Sequence, residues 1–132
     1  MIKNPYFWNK KMIKDVLFEK LIHQLVPEDI LASFDIVDIE DEKAEELIIR
    51  LVEKESKKPD SQAELIMNGY LKEIELTHFP SNGRQCFLRL KRRRWKSKDK
   101  KLSKAYYYND YDFSVSGAKV TKSFGSFLKE FD

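Results

Sequence analysis

Asn68 to Trp95 reads NGYLKEIELTHF-PSNG-RQCFLRLKRRRW, and its alternation decides the fold. From Asn68 to Phe79, Tyr70, Ile74 and Leu76 fall on one side and Glu73, Glu75 and Thr77 on the other. That two-residue period marks a half-buried strand. Pro80-Ser81-Asn82-Gly83 is a turn signal, with Asn-Gly suited to the positive φ of a tight hairpin. Gln85 to Trp95 is the returning strand. A register matching Leu76 with Leu88 and Ile74 with Leu90 gathers apolar residues on one face. It also sets Glu75 opposite Arg89, Glu73 opposite Lys91 and His78 opposite Cys86. Opposite charges across a ladder contribute roughly 0.2–1 kcal/mol each, so pattern and charge favour the same register.

Outward from the hairpin, more strands and helices appear. Phe34–Glu40 and Leu47–Glu53 are strand-like, and polar Asp41–Glu46 suits the connection between them. Glu55–Ala63 reads as a loop, Ser97–Lys104 as a charged loop, and aromatic Ala105–Val115 as a last strand. At the start, Ile13, Val16, Leu17, Phe18, Leu21, Ile22 and Leu25 recur at helical spacing, predicting an amphipathic helix from about Met12 to Val26. Pro27-Glu28-Asp29 opens a second short helix to about Ser33, with Pro near the first helical position and acids at its positive end. At the other end Thr121 is a candidate N-cap, with Val120 packed beneath the first turn. Phe124, Phe127, Leu128 and Phe131 then form an i, i+3, i+4, i+7 stripe. The expected fold is α+β: an antiparallel sheet of four to five strands with N-terminal and C-terminal helices. Residues 1–26 would be a helical extension and 27–132 a single domain, a division that suits 132 residues.

Charge is the main functional signal. Arg84 to Lys104 holds eleven Lys/Arg and one acid, whereas Glu28 to Glu75 holds six Lys/Arg and fifteen Asp/Glu. Over the whole chain the balance is only +3. Such separation gives a directional field, and a basic cluster beside aromatics suits a phosphate backbone. Arg89 and Lys91 have partners in Glu75 and Glu73. Arg92, Arg93, Arg94, Lys96, Lys98, Lys100 and Lys101 have no obvious local acids, and they are the candidate nucleic-acid contacts. Replacing Arg92, Arg93 and Arg94 with Ala is accordingly expected to leave the fold intact, because exposed cations contribute little to stability. Trp95 joins the candidates as a wedge, a stacking residue or a support, and Tyr106–Tyr108 as further stacking surfaces. The bland reading of the same residues is a solvated strand face above aromatics packed under their own sheet.

Catalysis and metal chemistry find little footing. No Gly-rich phosphate loop, H-E-x-x-H or nucleophile elbow occurs. Asp110 and Asp112 flank Tyr111 and share a face, which is a pair and not a metal-binding carboxylate cluster. His78, Cys86 and a distant His23 are too few for structural zinc. No catalytic residue, metal or cofactor is assigned, and the chain is read as a non-enzyme. One cysteine fits a reducing cytosol, no signal peptide is visible, and no run approaches a membrane span.

Four blocks between about Leu25 and Phe131 carry a resemblance. They are Leu25-Val26-Pro27-Glu28-Asp29-Ile30-Leu31 with Phe34; Gly69-Tyr70 with Glu73, Phe79-Pro80 and Gly83; Arg92-Arg93-Arg94-Trp95; and Gly117, Thr121 and Phe124 with Phe127-Leu128-Lys129-Glu130. Together they resemble the N-terminal-region proteins of bacterial insertion-sequence transposases with a split reading frame, encoded ahead of and apart from the catalytic part. The basic run ending in Trp and the closing Phe-Leu-Lys-Glu helix are its most specific marks. The chain departs from that pattern in its N-terminal helix, Met1 to about Gln24, and in Tyr106–Asn109, which stand where a shorter Arg-Asp-Trp-type segment is expected. The resemblance implies a bacterial cytoplasmic protein that helps a transposase recognise its mobile element, with the catalytic acids in the partner. The leading expectation is a non-catalytic DNA-binding accessory module of a transposition system, its partner the double-stranded element ends. The alternative is an interaction subunit that docks on the catalytic transposase chain without touching DNA. A stand-alone nuclease, which would need metal-dependent activity, is the least favoured.

Overall fold

The computed structural model describes residues 5–99, 106–115 and 117–131, with side chains from Met12 onward. The chain divides into two compact units between Ala32 and Ser33, a few residues after the boundary read from the sequence.

The first unit is helical. α1 (Pro5–Leu25) begins on a proline, whose missing N–H costs nothing in a first turn. It starts upstream of the Met12 expected from the apolar spacing. Met12, Ile13, Val16, Leu17, Phe18 and Leu21 along it are exposed. α2 (Glu28–Leu31) follows Pro27, which is the N-cap and not the first helical residue. Glu28 and Asp29 occupy its first turn, as the helix dipole favours.

The second unit holds six strands among the described residues: β1 (Phe34–Glu40), β2 (Glu46–Glu53), β3 (Leu65–Tyr70), β4 (Ile74–Ser81), β5 (Arg84–Lys91) and β6 (Arg93–Ser97). They form a four-stranded sheet in the order β1-β2-β5-β4 and a two-stranded sheet of β3 and β6. β1 pairs antiparallel with β2, and β4 with β5. β2 and β5, however, run parallel, so the expectation of a wholly antiparallel sheet is corrected. Two antiparallel hairpins dock through their inner strands, and loop 54–64, β3 and β4 supply the long crossover that parallel pairing requires. Alternation carries no information about strand direction.

The expected hairpin register is the one observed. Leu76 lies opposite Leu88, Ile74 opposite Leu90, Glu75 opposite Arg89 and His78 opposite Cys86. The tight turn carries φ of 52° at Asn82 and 74° at Gly83, the left-handed pair that Asn-Gly accommodates. What the sequence shows as two long strands is nevertheless a bent hairpin. β4 and β5 end at Ile74 and Lys91; beyond Leu71–Glu73 and Arg92, β3 and β6 continue the pairing. The Leu71 N–H donates to the Arg92 carbonyl at 3.0 Å across the bend. Three residues on one side against one on the other break the ladder, as a bulge does. Glu73 therefore lies outside the ladder and faces Arg50 at 3.5 Å, not Lys91. Lys91 sits instead 5.1 Å from the Tyr70 ring centroid.

Ile48, Ile49, Leu51, Leu76, Cys86, Leu88 and Leu90 form the sheet core. α3 (Lys122–Lys129) lies at the β4 edge. Thr121 caps it, accepting from the Phe124 N–H, and Val120 bridges Thr77. Phe79 packs on Phe124 and Phe127 at centroid distances of 5.0 and 5.2 Å. Of the expected last strand, Ala105 lies outside the described residues. The rest forms only isolated bridges, Tyr107 to Trp95 and Ser114 to Thr121. Side chains hold it instead: Tyr111 and Phe113 meet Phe34 edge-on at 5.1 and 5.9 Å. Among the described residues, no helix is long and apolar enough to cross a membrane.

Candidate nucleic-acid interface

The basic run is divided by strand alternation. In β6, Trp95 and Ser97 are buried, while Lys96 and the following Lys98 are exposed. Trp95 and Tyr107 exchange both backbone hydrogen bonds at 2.8 Å, which lays the Tyr106–Tyr108 run alongside β6. Tyr106 and Tyr108 thereby receive cations on their faces. The Arg94 guanidinium carbon sits 4.3 Å from the Tyr106 centroid, and that of Arg92 sits 5.3 Å from Tyr108. Arg92, Arg94 and two of the tyrosines, far apart in sequence, thus make one surface.

Most of the arginines are not free, which corrects the expectation that they lack local acids. Arg92 donates to the Asn109 carbonyl at 3.1 Å and to Asp110 at 2.9 Å. Arg93 donates through Nε to the Glu53 carbonyl at 2.7 Å and pairs with Glu55 at 3.9 Å. Its guanidinium also lies 5.8 Å from the Tyr70 centroid. Arg94 donates through Nε to the Asn68 carbonyl at 2.7 Å, yet no carboxylate among the described residues pairs with its charge. Gly69, at a positive φ of 78°, leaves room here because it has no Cβ, which would lie 3.3 Å from an Arg94 nitrogen.

Glu53 is the residue that sequence reasoning missed. It is 1% exposed. One carboxylate oxygen accepts from the Arg93 N–H at 3.0 Å. The other accepts from Asn109 Nδ2 at 3.2 Å and from the Tyr111 hydroxyl. Three donors satisfy a buried charge that would otherwise be costly. The end of β2, the start of β6 and the 109–111 segment are tied together at this point. Burial, followed by the bond to Glu53, pushes the Tyr111 hydroxyl pKa well above its usual value. The signal was present: Glu53 shares its strand face with Leu51 and Ile49, an acid at a core position.

The cations left over are fewer than the count suggested. Lys96 is exposed and makes no ion pair among the described residues. Lys98 is paired with Glu64 at 2.8 Å, and the Lys98 hydrogen bond holds the Glu64 carboxyl below the usual range. Lys100 and Lys101 lie outside the described residues. Trp95 is only 7% exposed, so the wedge and stacking roles give way to that of a support. Lys58 lies 5.7 Å from its ring centroid.

The remaining chemistry-bearing residues do not converge. Asp110 turns to Arg92 and Asp112 to Lys122 at 3.1 Å. His78 is buried, and its Nδ1 hydrogen-bonds Thr121 Oγ1 at 2.7 Å, joining β4 to the cap of α3. Among the described residues no three His, Cys, Asp or Glu group to hold a metal ion. A cleft of about 270 Å³ beside Glu53 is lined by Lys57 and Lys58 but also by Asp60 and Asp110, so it favours neither sign of ligand. Comparison with protein-family models, with characterised proteins and with solved structures finds no match.

Proposed function

We propose that the chain is a non-catalytic DNA-binding accessory module of a bacterial transposition system, acting in the cytoplasm on the double-stranded ends of its element. One observation carries the reading. Arg94, Lys96 and Lys98 share a face beside Tyr106 and Tyr108, and Arg94 and Lys96 have no carboxylate partner among the described residues. A line of cations next to flat amphipathic rings suits a phosphate backbone, and phosphate contacts position a protein on a duplex without reading bases. Lys96 and Lys98 are the primary contacts and Arg94 an ordered one. Arg92 braces Tyr108 within that surface, and Arg93 and Trp95 support it from behind. Lys100 and Lys101 follow Lys98 in sequence and extend the basic run. The resemblance to transposase N-terminal-region proteins supplies the biological setting, and the catalytic acids belong to the partner.

The second reading, docking on the catalytic transposase chain without DNA contact, is favoured by β1. This edge strand exposes Val37 and Ile39 between Asp35, Asp38 and Glu40. An unpaired edge can accept a strand from another chain. A salt titration of binding to a duplex carrying the element's terminal repeats, with an unrelated duplex as control, separates the two. Phosphate contact gives affinity that falls linearly in log–log form as salt rises. A docking subunit shows no duplex affinity at low salt, and that outcome transfers the assignment to β1.

A further inference from the structure

We infer that the face made by β3, β6 and the Tyr106–Tyr108 segment is a stacking platform for two consecutive unpaired bases at a DNA end, one on Tyr106 and the next on Tyr108. This role rests on the reading of the same surface as a DNA contact, and it names the form of DNA the surface takes. The two rings are held in place without being covered. Tyr106 is 41% exposed and Tyr108 45%. Each has one guanidinium over it, Arg94 at 4.3 Å from the Tyr106 centroid and Arg92 at 5.3 Å from that of Tyr108. Both guanidiniums are themselves tethered, Arg94 to the Asn68 carbonyl and Arg92 to the Asn109 carbonyl and Asp110. A ring fixed by a tethered cation loses little freedom when a base stacks on it.

Spacing selects the ligand. The paired hydrogen bonds between Trp95 and Tyr107 hold the segment extended, and alternation puts Tyr106 and Tyr108 together on the face opposite Tyr107. Residues two apart on an extended chain are separated by about 6.7 Å, twice the roughly 3.4 Å step between bases of a duplex strand. Paired bases keep their faces inside the stack, where a side chain reaches them only by extruding the nucleotide. A single strand drawn out to the ring spacing offers one base face to each tyrosine. The rest of the face suits the same ligand. In the Trp95–Tyr107 register Lys96 lies beside Tyr106, exposed and without an ion pair among the described residues, where it can meet a phosphate of that strand. Across the β3–β6 ladder from Lys96, Ile66 is 42% exposed and adds apolar surface for a base edge. A duplex backbone alone would leave two tyrosines and an isoleucine in water; unpaired bases use all three.

The test is fluorescence anisotropy of the full chain against one duplex in three forms: blunt, with a two-adenosine tail on its 3′ or its 5′ end, and with the same tail made of abasic sugars. The adenosine tail should bind at least about tenfold tighter than the blunt end in one polarity, since each base stacked on an aromatic side chain contributes roughly fivefold or more. The abasic tail, which keeps the phosphates and loses the bases, should give no such gain. Tyr106→Leu with Tyr108→Leu should bring the ratio of tailed to blunt affinity to about one, and Tyr106→Phe with Tyr108→Phe should preserve it. The abasic comparison uses the wild type, so it decides the matter even if the leucine variant unfolds. Blunt-duplex binding without a tail gain overturns the inference and leaves the phosphate-contact reading standing. So does an abasic tail as good as the adenosine tail, or a gain that survives in a folded leucine variant. Absence of affinity for every form overturns both.

Discussion

The two halves of the bent hairpin are built by different chemistry. The inner half, β4 with β5, is held by burial: Leu76, Leu88 and Leu90 are 0–3% exposed, and its one cross-strand ion pair, Glu75 with Arg89, is on the surface. The outer half, β3 with β6, has Leu65 and Trp95 to bury but is otherwise organised by polar groups. Arg93 and Arg94 donate to backbone carbonyls, three tyrosine rings carry cations, and Glu53 collects three donors. The difference shows that a run of arginines is not by itself a binding site. Two of the three here, Arg92 and Arg93, are spent on the fold; of the exposed lysines beyond them, Lys96 has no ion pair among the described residues and Lys98 shares its charge with Glu64.

The contrast can be broken at its strongest point. Glu53→Ala leaves the Arg93 N–H, Asn109 and Tyr111 without an acceptor, and should cost about 4 kcal/mol, since each buried orphan donor costs about 1–3 kcal/mol. The urea midpoint reads this directly, and a loss below about 1 kcal/mol would mean that the outer half does not depend on the carboxylate. Next is the triple replacement of Arg92, Arg93 and Arg94 by Ala. The sequence alone suggests an intact fold; half-buried arginines on carbonyl acceptors reverse that expectation, to a loss of about 2–3 kcal/mol. Full stability in the triple variant would return these residues to the solvated surface.

A smaller effect concerns pH. The Tyr111 pKa is raised in the folded chain, so folded protein holds this proton more tightly than unfolded chain does. Its contribution is complete below the ordinary tyrosine pKa near 10 and is lost as pH climbs above it. A phenolate absorbance titration should show Tyr111 ionising above the ordinary tyrosine range, together with alkaline unfolding, and Tyr111→Phe should remove that stability loss. Ionisation of every tyrosine in the folded chain near pH 10 would contradict the buried contact. Smallest of all is Glu75→Ala in the inner half, at about 0.5 kcal/mol, because exposed pairs are weak. A loss as large as that of Glu53→Ala would erase the distinction between the halves.

What could be read beforehand follows the same division. The inner half was legible to the residue because burial enforces alternation, and one register satisfied both apolar and charge matching. The bend at Leu71–Glu73 was not, since nothing in a two-residue period marks where a strand changes sheets. The parallel pairing of β2 and β5 was also hidden, although the near-continuous apolar run Leu47–Ile49 and Leu51–Val52 is what a strand covered on both faces looks like. At the site, the sequence reading left Arg92 and Arg93 without local acids, and the structure gives them acidic partners on other segments. Asp110 and Glu55 lie on other segments, and Glu53 lies forty residues before Arg93. The Trp95–Tyr107 bridge, with the Arg92 bonds to Asn109 and Asp110, brings Tyr106 and Tyr108 to the arginines, and those pairings join segments on either side of the charged loop.

The central claim is that the exposed lysines contact phosphate while the arginines behind them hold the fold. Its most direct test is the salt dependence of duplex binding by the wild type and by a Lys96→Ala, Lys98→Ala variant. Both lysines are exposed, so the variant should unfold at the wild-type urea midpoint. Each lost phosphate contact removes about 0.9 from the slope of log affinity against log salt, so the variant's slope should be flatter by roughly 1.8. An unchanged slope in a folded variant would contradict the account.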